Sequence, residues 1–203
     1  MNNIEQIKTD KFSFYVFRNI FDGNELEYIW KEALFLCDNS KLENPNITGS
    51  AKFENGKLKK NNAGIWLNNI YNKDNLSNYL KIYKKPLQNI HEFKNSDYTL
   101  NLYLHTNTDS TLMSYYEDND YYHSHYDVSA YTYVFWLFKE PKNFLGGDLY
   151  FDDVGYKIQV NSNMAVLFPS WVIHSVDKIM MIPGIKPYKG FGRFAFSTFY
   201  SFR

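Results

Sequence analysis

The pattern of apolar and polar positions divides the chain into a mixed first half and a β-rich second half. An apolar segment at residues 12 to 20 is typical of a strand, and residues 21 to 38 carry apolar side chains at helical spacing. The same spacing predicts a second helix over residues 74 to 93, with Pro86 as a kink or break. We expect these helices to pack on the outside of one sheet.

The segment between the predicted helices, residues 39 to 62, is rich in Asn, Lys, Gly and Ser and has little periodicity. It predicts a mostly exposed loop, with a short strand pair around Glu54 to Lys57, and such a loop can act as a lid. The lysine and asparagine run at residues 59 to 62 is too short to support a functional argument.

From Tyr98 onward the pattern changes to alternation and short apolar runs separated by Gly, Asn, Asp and Pro. Nine strands are predicted, in the segments YTLNLYLHT, STLMSYY, YYHSHYD, YTYVFWLF, GDLYFDD, YKIQV, MAVLF, WVIHSVDKI and RFAFSTFYSF. Many short strands at close spacing indicate a sandwich or barrel, a set that includes jelly rolls and cupins. We therefore expect one mainly β domain over residues 1 to 203, with residues 1 to 97 as a helical support region with an N-terminal strand and 98 to 203 as the β core.

Composition supports a β fold and reduces the number of classes of binding partner that we expect. Aromatic residues make up 19% of the chain, and aromatic rings favour strands. Lys plus Arg and Asp plus Glu are both 22, so the net charge gives no reason to expect nucleic acid or an anionic membrane as partner. Cys37 is the single cysteine, the N-terminus lacks a signal-peptide pattern, and no apolar run could span a bilayer. A cytoplasmic protein is expected.

The most informative tripeptide is His125-Tyr126-Asp127. Because alternate residues of a strand point to one face, its imidazole and carboxylate can reach the same ion. His174 lies in a later predicted strand, WVIHSV. Two histidines and one carboxylate on adjacent strands form the facial triad of non-haem Fe(II), which leaves positions open for O2 and a chelating cosubstrate.

These residues stand in a recognisable order with three further motifs, GGDLYF at 146 to 151, LFPSWVIHSV at 167 to 176 and GRFAFSTF at 192 to 199. From Phe12 to Phe202 the chain resembles the 2-oxoglutarate and Fe(II)-dependent oxygenases, particularly the prolyl 4-hydroxylase-like branch. The resemblance implies a double-stranded β-helix (jelly roll, cupin-like) in which His125, Asp127 and His174 are the catalytic metal ligands. It implies a dioxygenase that uses Fe(II) and 2-oxoglutarate, with ascorbate as reductant, to hydroxylate a substrate C–H bond and release succinate.

The family carries an Arg or Lys after the distal histidine that pairs with the 5-carboxylate of 2-oxoglutarate. Arg193 begins an alternating strand and is the preferred candidate, because its planar fork can grip a carboxylate through two parallel hydrogen bonds. The gap between His174 and Arg193 is longer than is usual in the family, and Lys186 and Lys189 in the intervening loop compete for the role.

Three further residues are candidates for the cosubstrate pocket. Tyr116 precedes the metal pair at a position where related enzymes have a tyrosine that reaches the cosubstrate, and a core ring is an equally good interpretation. Thr132 and Trp136 share a strand parity that can face the pocket. Tyr116 and Thr132 are therefore predicted to bind cosubstrate together with Arg193.

The remaining histidines are assigned other places. His123 shares the strand parity of His125 and is an alternative to it as the metal ligand, or a fourth ligand. The interpretation as a pocket residue, or as one that contacts a ligand rather than the metal, is preferred because only His125 has Asp two residues on. His91 is expected in the second helix and His105 in an early strand, both at surface or core positions.

The substrate is not determined by the triad, because loops set specificity. A peptidyl proline or other protein residue and a small metabolite are both expected partners, and the loops at 39 to 62 and 180 to 191 are expected to border the entrance. The main rival is a cupin-type metal-binding protein or isomerase that uses His123, His125 and His174 without 2-oxoglutarate. A second rival is a metal-free jelly-roll module that binds carbohydrate or protein. Halogenation is disfavoured because Asp127 is present.

Overall fold

A computed structural model describes residues 3–38 and 40–203. Residues 1 and 2 of the predicted domain and residue 39 of the predicted loop lie outside these ranges. The strands are β1 Asn3–Lys8, β2 Ser13–Arg18, β3 Ala63–Trp66, β4 Thr108–Tyr116, β5 Tyr122–His125, β6 Tyr131–Leu137, β7 Phe144–Leu145, β8 Leu149–Phe151, β9 Tyr156–Ile158, β10 Met164–Pro169, β11 His174–Val176, β12 Met180–Met181 and β13 Arg193–Ser201. The α-helices are α1 Gly23–Asp38, α2 Leu67–Ile70 and α3 Leu100–Leu104, and short 3-10 turns occupy Asp74–Leu76, Lys85–Leu87, Ile90–Phe93 and Asp152–Val154.

Two antiparallel sheets form the jelly roll that the sequence predicts. The major sheet has seven strands in the order β1-β2-β10-β6-β13-β4-β3, and the minor sheet has four in the order β5-β11-β8-β9. A separate pair, β12-β7, lies outside both sheets. The first three strands belong to the major sheet, so the predicted support region and the predicted core share one sheet.

The side chains of the major sheet alternate between two apolar layers. In β6, Tyr133 and Phe135 pack in the layer that contains the helices, whereas Val134 and Trp136 pack in the layer between the sheets. All seven β6 side chains are buried, because the strand has a covered surface on both faces. This arrangement confirms that the helices pack on the outside of one sheet.

Helix α1 confirms the first predicted helix and begins at a capping box. The Asp22 carboxylate accepts a hydrogen bond from the Glu25 backbone N–H at 2.9 Å, and the Glu25 carboxylate accepts one from the Asp22 N–H at 3.0 Å. Ile29, Ala33 and Leu36 then form its buried face. Of the helices within residues 3–38 and 40–203, none is long and apolar enough to cross a membrane.

The predicted helix over residues 74 to 93 is wrong, because this segment consists of turns and short 3-10 pieces. The buried carboxylate of Glu32 accepts hydrogen bonds from the Ser77 hydroxyl at 2.7 Å and the Tyr79 backbone N–H at 3.0 Å. Pro86 lacks a backbone donor in the same segment. Leu76 is exposed, but the other apolar residues of the pattern still face the core, because tight turns repeat them at nearly the spacing that a helix would: Leu80, Tyr83, Leu87 and Ile90.

The first predicted strand of the β core, residues 98 to 106, is also wrong. It forms helix α3, after a turn in which the Asp97 carboxylate accepts from the backbone N–H of Thr99 at 2.9 Å and from its hydroxyl at 2.6 Å. Alternating Leu and polar residues over so short a segment fit a strand and a helix equally well. The β core therefore begins at Thr108, and His105 ends a helix instead of lying in a strand.

The predicted loop before β3 is confirmed over residues 40 to 62. A single antiparallel bridge between Lys52 and Leu58 encloses a turn near the predicted strand pair. A second bridge joins Lys60 to Tyr122 of β5, so the end of this loop crosses from the minor sheet to the edge of the major sheet.

The Gly146-Gly147 turn before β8 is the position where glycine is required most strictly. Gly146 has a φ of +74°, and a Cβ added there would lie 2.1 Å from the backbone oxygen of Lys178. The left-handed backbone conformation disfavours any residue with a Cβ at this position. The Lys178 backbone could move away from such a Cβ only at a large cost in free energy.

We expect Gly146→Ala to lower the free energy of unfolding by about 3 kcal/mol, the sum of a left-handed alanine and a backbone clash. The matched control is Gly184→Ala, because Gly184 has a φ of +88° with nothing within 4 Å of an added Cβ. This control is expected to lose only about 1 kcal/mol. Urea denaturation measures both values, and equal losses would show that the Lys178 contact is not tight.

Candidate metal and cosubstrate site

A cavity of about 420 Å³ lies between the two sheets and opens beneath the loop that precedes β3. Its wall carries both apolar side chains and a small number of ionisable ones. The ionisable residues that matter most for its chemistry are His125, Asp127, His174, Arg193 and Lys60.

Strand pairing brings the three predicted metal ligands together. His125 ends β5 and His174 begins β11, and the register of this antiparallel pair places the two residues opposite each other. Their Nε2 atoms lie 3.7 and 3.6 Å from the two carboxylate oxygens of Asp127. One ligand atom from each residue lies within 4.8 Å of the others, so the group could hold one metal ion.

Backbone carbonyls fix the tautomer of both histidines. The Nδ1 of His125 lies 2.9 Å from the His123 carbonyl oxygen, and the Nδ1 of His174 lies 2.9 Å from the Val172 carbonyl oxygen. A carbonyl oxygen only accepts, so Nδ1 carries a hydrogen, and the Nε2 atom of each ring, which is the one left to bind a metal ion, faces Asp127. Burial, with a smaller contribution from His174, lowers the pKa of His125 to about 2, which keeps its imidazole neutral and able to bind a cation.

The Asp127 carboxylate is held by hydroxyl groups on the neighbouring strands. Thr132 donates to its Oδ2 at 2.6 Å, and the Thr132 hydroxyl also lies 2.8 Å from the Ser170 hydroxyl. The Asp127 backbone N–H donates to the Ser170 carbonyl oxygen at 2.9 Å. Thr132 also lines the cavity, so its predicted contact with the cosubstrate stays a prediction beside its observed contact with the carboxylate of the triad.

Arg193 lies on the cavity wall at the start of β13 and is only 1% exposed. Its Nη1 donates to the Gly147 carbonyl oxygen, while its Nε has no hydrogen-bond partner among the described residues. Burial lowers the pKa of this guanidinium from its ordinary value. Within the described ranges no carboxylate lies in ion-pair contact with it, so its charge is available to a ligand.

Tyr116 lies beside Arg193, as β4 and β13 pair the two residues directly. The guanidinium carbon is 4.2 Å from the centroid of the Tyr116 ring. Burial raises the pKa of the Tyr116 hydroxyl, so it stays protonated and can donate a hydrogen bond into the cavity. Trp136 also lines the cavity, as its predicted parity requires.

The rival lysines lie elsewhere. Lys186 and Lys189 are exposed and are not part of the cavity wall. Lys189 is 3.2 Å from Asp38 of helix α1. The position of Arg193 therefore favours it over both lysines as the carboxylate-binding residue.

The other histidines do not join the triad. His123 is exposed, and its ring packs against Phe53 and Tyr121 with centroid distances of 5.4 and 4.4 Å. A bulge explains why strand parity fails here: His174 pairs with His125, but Val176 pairs with Tyr122, so β5 has one extra residue.

His91 and His105 are exposed and bond to nearby backbone carbonyls, Gln88 and Asn101, at 2.9 and 2.7 Å. Neither ring is part of the cavity wall. Their predicted place away from the metal site agrees with the structure.

The bulge also reveals a residue that sequence reasoning missed. The Tyr122 ring stacks on His125, with centroids 3.5 Å apart and planes at 11°. Lys60 and Ser170 were missed as well. Ser170 lies within the LFPSWVIHSV motif and could have been noticed there, whereas nothing in the pattern around Lys60 indicates a cavity.

The residues present fit the metal and cosubstrate that the resemblance implies. Two neutral imidazoles and one carboxylate match the ligand preference of non-haem Fe(II), and the set leaves positions open on the ion. The unpaired guanidinium at another part of the same cavity matches a dicarboxylate cosubstrate.

Comparison with solved structures identifies the fold. A prolyl-4-hydroxylase from Pseudomonas putida matches with a TM-score of 0.64 and 14% identity, over 94% of this chain and 92% of that one. A prolyl hydroxylase from Trichoplax adhaerens, in complex with a hypoxia inducible factor oxygen degradation domain peptide fragment, matches with a TM-score of 0.65 and 13% identity, over 93% and 83%. A viral collagen prolyl hydroxylase from Paramecium Bursaria Chlorella virus-1, in a 2OG complex, has a TM-score of 0.51 and 14% identity, over 92% and 94%.

By sequence, no family model and no curated protein matches the chain. The three structures share its fold at low identity. The chain therefore has the jelly-roll fold of these prolyl hydroxylases.

We expect Thr132→Val to weaken metal binding about tenfold, because it removes the hydrogen bond that orients Asp127 without removing a ligand. The matched control is Thr111→Val, since the Thr111 hydroxyl bonds to Thr198 at 2.9 Å, is also buried, and is outside the cavity wall. Titration of Mn(II) into both variants, followed by electron paramagnetic resonance, measures the affinities. An unchanged affinity in Thr132→Val would show that Asp127 is oriented without this hydroxyl.

Proposed function

We propose that this protein is an Fe(II)- and 2-oxoglutarate-dependent dioxygenase that hydroxylates a C–H bond of its substrate. The observation that carries the proposal is the content of one cavity. It combines a His-Asp-His group with both Nε2 lone pairs facing a carboxylate, and a buried arginine without an acidic partner.

In this proposal His125, Asp127 and His174 hold the iron. When bound, the iron supplies the redox chemistry that couples oxidative decarboxylation of 2-oxoglutarate, which yields succinate and CO2, to insertion of one oxygen atom of O2 into the substrate. The Nδ1 contacts leave the Nε2 atom of each ring on the side of Asp127, where it can bind the ion.

Arg193 binds the 5-carboxylate of 2-oxoglutarate in this proposal, and the Tyr116 hydroxyl adds a hydrogen-bond donor beside it. The contact of Arg193 with the Gly147 carbonyl holds the guanidinium in place, so little side-chain freedom is lost on binding. Apolar cavity walls at Val134, Trp136 and Leu149 exclude water and strengthen the ion pair.

In this proposal Thr132 positions Asp127 through its hydroxyl and also lies on the wall of the cosubstrate cavity. A peptidyl proline is one substrate candidate, because the similar structures are prolyl hydroxylases by name, and a small metabolite is another. Ascorbate as reductant and a cytoplasmic location belong to the same proposal.

The first experiment measures succinate formed from 2-oxoglutarate by anaerobically purified protein given Fe(II), ascorbate and O2. We expect slow turnover without substrate in the wild type and at least a hundredfold loss in Asp127→Ala, since a metal ligand is removed. Asp10→Ala is the matched control, because Asp10 is exposed in the turn between β1 and β2, and it should retain wild-type turnover.

Binding of 2-oxoglutarate to the Mn(II)-loaded protein is read in the same preparation. Binding without turnover points to a missing prime substrate and leaves the cosubstrate site supported. A wild type that neither forms succinate nor binds 2-oxoglutarate contradicts the proposed function.

A second experiment tests the carboxylate site. Arg193→Met should weaken 2-oxoglutarate binding about a hundredfold, as it removes two charge-assisted hydrogen bonds, and Arg193→Lys should have an intermediate effect. Arg18→Met is the control, because Arg18 lies on β2 outside the cavity wall. Calorimetric titration measures the dissociation constants, and an unchanged value for Arg193→Met would refute the assignment.

A further inference from the structure

Lys60 is a second buried cation in the same cavity, and the proposed reaction does not use it. The backbone around it is tied to the minor sheet: the Asn61 N–H donates to the Tyr121 carbonyl at 3.0 Å, and the His123 N–H donates to the Lys59 carbonyl at 2.8 Å. Lys60 is therefore held firmly at the edge of the cavity, with only 4% of its surface exposed.

The ammonium group of Lys60 has no anionic partner within ion-pair distance in the part of the chain that the structure describes. Its Nζ lies 5.6 Å from the centroid of the Tyr122 ring, and no hydrogen bond from it to a described residue is formed. Its neighbour Lys59 differs, because that Nζ donates to the Ser124 carbonyl at 2.7 Å. A buried lysine without a partner is costly, so its retention at a cavity wall indicates a ligand of opposite charge.

Burial lowers the pKa of Lys60 to about 8, with Asp127 acting in the opposite direction. The group is still largely protonated at pH 7, because its pKa remains above that pH. It can therefore offer three N–H donors and a positive charge to a ligand.

Lys60 and Arg193 lie at different places on the cavity wall. Arg193 is beside Tyr116 in the major sheet, whereas Lys60 is beside Tyr122 at the edge of the minor sheet, near His125 and Asp127. A dicarboxylate that binds Arg193 with one carboxylate, and a metal ion at the triad with the other, has both of its charges compensated. The charge of Lys60 is then left for the prime substrate.

The cavity wall also carries hydroxyl groups that are free to bond to a ligand. Serines at alternating positions of the paired strands β4 and β13 line the cavity, and their hydroxyls form no hydrogen bond to the described residues: Ser110, Ser114, Ser197 and Ser201. Lys60 and Arg193 are the lysine and arginine side chains found on the described wall. One free ammonium with hydroxyl groups on the same cavity wall suits a carboxylate better than a phosphate dianion, which needs more cationic donors.

We propose that Lys60 binds a carboxylate of the prime substrate, so that the substrate is a carboxylic acid such as a free amino acid. This inference rests on the proposed dioxygenase function and deepens it. Lys60 is a specificity-determining residue: it selects the charged form of the substrate and holds it on the triad side of the cavity.

The test compares the proteinogenic L-amino acids with their primary amides as ligands of the Mn(II)-loaded protein at saturating 2-oxoglutarate, measured by calorimetric titration. At least one acid should bind about tenfold or more tightly than its amide, since the acid alone offers Lys60 a charged acceptor. Lys60→Met should abolish this difference, and Lys60→Arg should keep most of it. Lys57→Met is the matched control, as Lys57 is exposed in the same loop, and it should behave as wild type.

Three results would overturn the inference. They are equal binding of every acid and its amide, an acid preference that survives in Lys60→Met, and a tenfold loss of 2-oxoglutarate affinity in Lys60→Met, which would make Lys60 a cosubstrate ligand. Titration of 2-oxoglutarate alone separates this failure from that of the proposed function. If 2-oxoglutarate binds and no acid is preferred, the role of Lys60 is wrong; if 2-oxoglutarate does not bind to the wild type, the dioxygenase proposal is wrong.

Discussion

The antiparallel pairing of β5 with β11 sets His125 opposite His174, and the rest of the candidate site is arranged around that pair. Each ring gives its Nδ1 hydrogen to a carbonyl two residues earlier in its own chain segment. The strands therefore fix both the position and the tautomer of their histidines, and the Nε2 lone pairs face the cavity. Asp127 lies just beyond β5, so strand pairing does not orient its carboxylate. A hydrogen bond from the hydroxyl of Thr132, in the major sheet, orients it instead.

The charge balance of the cavity explains why it suits anionic ligands. Arg193 and Lys60 are both buried on its wall, and neither has an ion-pair partner among the described residues. Low polarity around them strengthens any ion pair that they form with a ligand. A metal cation at the triad would add positive charge, which the single carboxylate of Asp127 offsets only in part. Two negatively charged ligands would balance the positive charges of Arg193, Lys60 and a metal ion at the triad.

The parts of the site that sequence predicted are those fixed by local pattern. The His125-x-Asp127 spacing and the order of the surrounding motifs pointed to His125, Asp127, His174 and Arg193, which the structure brings to one cavity, although Asp127 lies just beyond the end of β5. The errors have nonlocal causes: the buried Glu32 carboxylate binds the backbone near Tyr79, where a helix was predicted, and an extra residue in β5 turns His123 outward. Neither interaction leaves a periodic trace in the sequence.

The backbone bridge between Lys60 and Tyr122 links the two residues of the site that sequence could not reveal. Residues 59 to 61 pair with β5, which buries Lys60 at the cavity wall and places it beside Tyr122. Tyr122 in turn stacks on the imidazole of His125. Tyr122 therefore lies next to both the residue proposed to bind the substrate carboxylate and a proposed metal ligand. The loop that carries the proposed specificity residue is thus attached to the strand that carries the proposed metal site, so substrate recognition and ligand geometry share one structural support.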